Sequence, residues 1–257
     1  MDAEGREPLV GRTLRQWTTA ADIANDDSAR TRQWGTGRKL MVIRLVLLAL
    51  GHTAACTGSM VVSTGPEQLA LLSGTQPEAA EGAVQALLDD DDPLIIPAPG
   101  PALPGTPACW LRVPQSYREE AEWRRRRAES ITPTHPVFLV LGPAAGFTYS
   151  GLCNEWEDPR DVAEAAKLSH GVAGQALRKL QEHGLAVSEV TQRTPWESRR
   201  RCWRFSQVQL GAVARETGAF SLYEQRLVKY AGGDVPVRWP YIPGPLGHGG
   251  AVPELAP

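Results

Sequence analysis

Within LSHGVAGQALRKLQEHGLAV, residues 168–187, an amide (Gln175) and a guanidinium (Arg178) stand three residues apart, close to one turn of a helix. At that spacing both can face one surface and present forked donors. Such groups suit hydrogen bonding to base edges rather than bond making. Ser169 and His170 precede them at the expected helix start, where donors and the helix dipole favour an anion such as phosphate, and Lys179 adds a further cation. A second group, Arg193, Arg199, Arg200 and Arg201, lies in QRTPWESRRR, between two strand-like runs. Those arginines would flank a nucleic-acid backbone or enter its minor groove, while Trp196 is expected to pack on its own hairpin. The helix also needs a core side. Val172, Ala176, Leu177 and Leu180 recur at helical spacing and are expected to face inward, leaving His170, Gly171, Gly174, Gln175, Arg178 and Glu182 on the opposite side.

No reaction chemistry competes with this recognition chemistry. Cys56, Cys109, Cys153 and Cys202 are widely separated, without a CxxC pair or a histidine at ligand spacing, which argues against zinc and against a disulfide framework. GTGRK at 35–39 lacks the four residues between glycines, the Lys-Ser/Thr pair and the preceding strand of a phosphate loop. Glu155 and Glu157 fall beside loop residues and are expected to be surface charge. No enzymatic activity, cofactor or metal is expected.

The chain has 257 residues, 42% of them hydrophobic, with a net charge of −2. These values fit a soluble, globular, cytoplasmic protein of one or two domains and exclude a global basic field, so nucleic-acid binding needs a local patch. Residues 160–205 supply one, with nine basic residues against five acidic, whereas residues 38–117 carry four against seven.

The elements that must position these groups come in two similar series. Residues 1–37 are polar and read as a mobile arm with at most one helix. Helices are expected over 38–55, 66–72 and 77–88, followed by the block DDDDP, the run LIIP, a Pro/Gly-rich loop over 98–107 and the strand CWLRV, which together make a two-stranded hairpin. The order returns as helices over 143–156, 161–168 with Asp161 near its N-cap, and 172–183 closing at Gly184, then LAVSEVT and CWRFS. The pair Cys-Trp opens the returning strand in both series, which indicates an internal duplication. A charged connecting helix occupies 118–135, one or two helices follow the second series up to 231, and 232–257 is expected to be a disordered Pro/Gly-rich tail. RKLMVIRLVLLALGHTAAC, residues 38–56, has the basic start, apolar run and final cysteine of a lipoprotein signal if translation began at Met41. Arg44 interrupts that run and it is short for a bilayer, so a core helix is the preferred reading and no membrane is expected.

The second series resembles winged helix-turn-helix domains, in particular the MarR-like domains of bacterial regulators. The resemblance covers 142–205 and rests on GPAAGFTYSGL and on Val162-Ala163, Ser169, Val172-Ala173, Ala176-Leu177, Leu180 and Gly184-Leu185. It departs from the family at Lys167, where a turn glycine is common, and at Gln175, where arginine often precedes Ala-Leu, so no base preference carries over. The first series is similar to helix-turn-helix modules of phage and plasmid replication proteins. Its Glu78, Glu81 and Asp89 to Asp92 would repel phosphates, so it is expected to be a degenerate copy serving homodimerisation or packing on a partner protein.

The expectation is therefore a mostly α protein with small β-hairpins, built as tandem winged helix-turn-helix domains: a degenerate one over 38–117 and a DNA-binding one over 136–231. Its expected function is sequence-specific binding of double-stranded DNA in transcription regulation, with the helix at 172–183 in the major groove. The alternatives are a plasmid or phage-type replication or maintenance factor, and a protein-interaction scaffold that does not bind DNA.

Overall fold

In a computed structural model of the chain, which describes residues 9–98, 108–123, 135–191 and 200–231, the N-terminal segment is the first surprise. LVGRTLRQWTTAADIAND is polar on average, yet it forms helix α1 (Leu9–Asp26) and buries Trp17, Ala20, Ile23 and Ala24. Asp27 then accepts hydrogen bonds from the backbone N–H groups of Ala29 and Arg30 and so caps α2 (Ser28–Trp34), whose Trp34 is also buried. Residues 9–34 are thus two packed helices rather than a mobile arm. Alanines at helical spacing let α1 approach its neighbours closely, and two tryptophans supply the buried area that the average polarity conceals.

The longest apolar run becomes α3 (Arg38–Thr57). By length and composition it could cross a membrane, and here it is the central helix of a core, with Ile43, Val46, Ala49, Leu50 and Ala54 buried. A short strand β1 (Val61–Ser63), helices α4 (Pro66–Ser73) and α5 (Pro77–Leu88), and strands β2 (Ile95–Pro97) and β3 (Ala108–Leu111) follow. Proline opens both helices, and the left-handed Gly74 ends α4. The sheet has three strands, in the order β1-β3-β2, where a two-stranded hairpin was expected; Val61 pairs with Trp110 on one side of β3 and Ile96 pairs with it on the other. The loop tip of that hairpin lies outside the described residues.

Of the expected connecting helix, α6 (Arg118–Trp123) is described, packed against α1, and 124–134 lies outside the described residues. A short helix with no counterpart in the sequence reading, α7 (Val137–Leu141), precedes α8 (Pro143–Ser150), which stops six residues before the expected end at Trp156. Next come α9 (Pro159–Ala165), α10 (His170–Glu182), β4 (Ala186–Thr191), β5 (Arg200–Phe205), α11 (Leu210–Glu216) and α12 (Ala219–Ala231). Asp158, not Asp161, caps α9.

The described residues fall into two compact units, one running to Gly146 and resuming at Gln209, the other spanning Phe147 to Val208. Helices α11 and α12 therefore belong with the first unit, not with the second as the sequence suggests. There α12 packs on α4 and α7: Arg226 donates to the Thr75 carbonyl at 3.4 Å, and the Phe220 ring meets His135 edge-on, centroids 6.0 Å apart. The described residues are mostly helical, and each unit holds one small antiparallel sheet.

The acidic block that closes α5 has a structural use. The carboxylate of Asp90, itself buried, lies 3.3 Å from Arg30 Nε and accepts from Trp34 Nε1 at 2.9 Å. Asp92 accepts from Arg112 at 2.8 Å and from the Ser116 backbone N–H at 2.9 Å, while its carbonyl accepts from Arg30 at 3.0 Å. The Arg30 guanidinium lies 4.6 Å from the centre of the Tyr117 ring, whose hydroxyl donates to Asp27 and holds that carboxyl below its usual range. Two of the four aspartates thus fasten α2 and β3 to the end of α5.

Candidate nucleic-acid interface

The second unit sets out its helices by chain chemistry that can be followed residue by residue. Asp158 caps α9, and Ser169 caps α10 by accepting from the Val172 N–H at 3.4 Å. Where α8 ends, a side chain at Gly151 would meet the Ala166 nitrogen at 3.1 Å and the Val162 carbonyl at 3.2 Å, so glycine lets the chain cross α9 closely. The turn between α9 and α10 passes through Lys167 at φ +54°, the one non-glycine among the described residues with positive φ. The backbone there keeps the left-handed conformation that glycine would adopt freely, in a residue with a Cβ.

Helix α10 turns Ala173, Ala176, Leu177 and Leu180 into the core. This corrects the sequence reading by one position: Val172 is 37% exposed and Ala173 takes its place inside. The opposite surface carries His170, Gly171, Gln175, Arg178 and Glu182, all exposed, with Gly174 and Lys179 partly so. Among the described residues, nothing beyond the local helix backbone lies within 4 Å of where a Cβ would stand on Gly171 or Gly174. The first turn of α10 holds no acidic residue. At the other end Gln181 donates to the Ser188 hydroxyl at 3.2 Å, tying α10 to β4.

Strands β4 and β5 pair antiparallel from Ala186↔Phe205 to Thr191↔Arg200. Behind them Glu157 and Trp203 exchange backbone hydrogen bonds, each 2.9 Å, as an isolated bridge in the place that β1 holds in the first unit. Arg200 is well exposed and reaches the Asp158 carboxylate at 3.5 Å. Arg201 is exposed at the strand's start, and Arg204 lies over the Trp156 ring at 4.6 Å. Arg193, Arg199 and Trp196 lie outside the described residues. Of the expected site, Ser169, His170, Gln175, Arg178 and Lys179 fall on α10 or its cap, and Arg200 and Arg201 on β5. Asp158 and Trp156, which hold two of the β5 arginines, escaped the sequence reading because neither is next to its partner in the chain.

The corresponding surface of the first unit differs. Glu78 and Glu81 are exposed on α5 and Asp89 and Asp91 just past its end, and the cleft at its start is lined by Glu67, Gln76, Pro77, Glu78 and Lys229, the last from α12. The two units repeat at a constant interval: Pro66 and Pro159, Pro77 and His170, and Trp110 and Trp203 each stand 93 positions apart and open or occupy equivalent elements.

Compared with protein-family models, with curated proteins and with solved structures, the chain matches none.

Proposed function

We propose that the chain is a sequence-specific double-stranded DNA-binding protein, a transcriptional regulator built from two winged helix-turn-helix modules of which the second engages DNA. One observation carries the reading: α10 presents Gln175 and Arg178 to solvent above a fully apolar back, on a unit whose β-hairpin adds Arg200 and Arg201. A helix fits the major groove, where an amide suits adenine and a guanidinium suits guanine. The Ser169 oxygen accepts the capping bond, which leaves its O–H for a phosphate beside His170 at the positive end of the helix. In the first module exposed acids on α5 and the packing of α12 on α4 oppose DNA entry and favour a protein contact instead.

The test is binding of the full-length chain to duplex DNA across salt concentrations, followed by in vitro selection of a preferred sequence. Neutralising about four or five phosphates gives a slope of log K against log salt of roughly −4. Gln175→Ala or Arg178→Ala then weakens the selected site by about 1 to 3 kcal/mol and relaxes one or two base positions. Arg200→Ala weakens selected and random DNA alike. Absence of binding at low salt, or a flat salt response, overturns the proposal in favour of the scaffold.

A further inference from the structure

We infer that Val172 is a specificity residue of the proposed α10 interface, resting on the methyl group of a thymine; the inference depends on the DNA-binding reading above. Val172 is the exposed large aliphatic of this helix, at 37%, and its neighbours Ala173, Ala176 and Leu177 fill the core without it. It shares the outward side with Gln175 and Arg178, near the helix start. Gly171 and Gly174 bracket it with open space where their side chains would be, so nothing among the described residues shields this part of the helix from a close approach.

The surroundings select the occupant. With no acidic residue in the first turn of α10, and with Arg178 and Lys179 one to two turns on, the surface complements a polyanion. The one apolar group that a major groove projects toward a valine is the C5 methyl of thymine; cytosine carries only a hydrogen there, and the polar edge groups are hydrogen-bonding donors or acceptors. A β-branched residue on an exposed helical position gains nothing from helix propensity, and this contact gives it a partner of matching chemistry.

The experiment uses the full-length chain and the duplex obtained by selection. Each thymine is replaced singly by deoxyuracil, which lacks only the C5 methyl. One thymine per bound module is expected to show about a four-fold loss of wild-type affinity on replacement, the effect of removing one buried methyl group. Val172→Ala, which keeps the helix because the position is exposed and alanine is the better helix former, binds the thymine duplex at least as many-fold more weakly and no longer distinguishes it from the deoxyuracil duplex. Circular dichroism of the variant confirms its fold. A selected site without thymine, a site whose thymines all tolerate replacement, or a Val172→Ala variant that still loses four-fold on replacement overturns this inference and leaves the DNA-binding reading standing. Failure of the wild-type chain to bind any duplex overturns both.

Discussion

Lys167 is the residue where local preference and fold disagree most plainly. A Cβ in the left-handed region costs about 1 to 2 kcal/mol, and glycine would remove that strain at the price of a more flexible unfolded chain. Lys167→Gly is therefore expected to raise stability by about 1 kcal/mol, read as a higher urea midpoint at unchanged slope. An unchanged or lower midpoint would mean that the contacts of the lysine side chain outweigh the strain. Spacing alone carried the second helix on to Leu168, and only the resemblance marked a turn position at Lys167; the structure ends α9 at Ala165. The sequence could not show that Val172 turns outward. Ala173 and Val172 both fit an inward position by spacing, and only the close packing of α10 in its unit favours the smaller one.

Among the elements, α4, α5, α10 and the hairpin β4-β5 were legible because their signals are local. Pro66 and Pro77 stand in first turns, Gly74 and Gly184 take left-handed conformations at helix ends, and short apolar runs (Leu185 to Val187, and Cys202-Trp203) mark the two strands. Helices α1 and α2 were not, because what holds them lies far along the chain: Trp17 donates to the Leu94 carbonyl at 2.8 Å, and Arg30 reaches Asp90 and Asp92. The three-residue strand β1 is too short to carry a pattern at all. The Arg30 contact sets a prediction for the N-terminal helices. Arg30→Ala leaves the buried Asp90 carboxylate without its cation and is expected to cost about 3 to 5 kcal/mol in equilibrium unfolding, against under about 1 kcal/mol for Arg32→Ala on the exposed side of the same helix. Similar losses for the two variants would show that the buried pair does not hold α2.

On the scale of the whole molecule, the mostly helical build with small antiparallel hairpins was visible in the sequence, while the membership of α11 and α12 in the first unit was not, since nothing local marks which of two cores a helix joins. His135 lies at this junction within the first unit. Its Nδ1 accepts from the Val137 N–H at 3.2 Å, its ring meets Phe220 of α12, and burial lowers its pKa from 6.5 to about 4. The unfolded chain binds the proton first as acid is added, so the stability due to the neutral ring is complete above about pH 6.5 and is lost as the pH falls toward 4. Compared with His135→Asn, the wild-type chain is expected to lose about 2 kcal/mol more between pH 7 and 4, a figure reduced for the partial exposure of the ring. Parallel pH profiles would remove His135 from the account. The division of the first unit into residues up to 146 and residues from 209 also sets an order of birth. At about 5 to 20 residues per second, the second unit emerges about one to five seconds before α12 is complete, and can finish while the older unit still waits for that helix. A chain released early in that interval would carry a complete second unit joined to an uncovered apolar surface, which makes α12 a checkpoint on synthesis as well as a piece of the core.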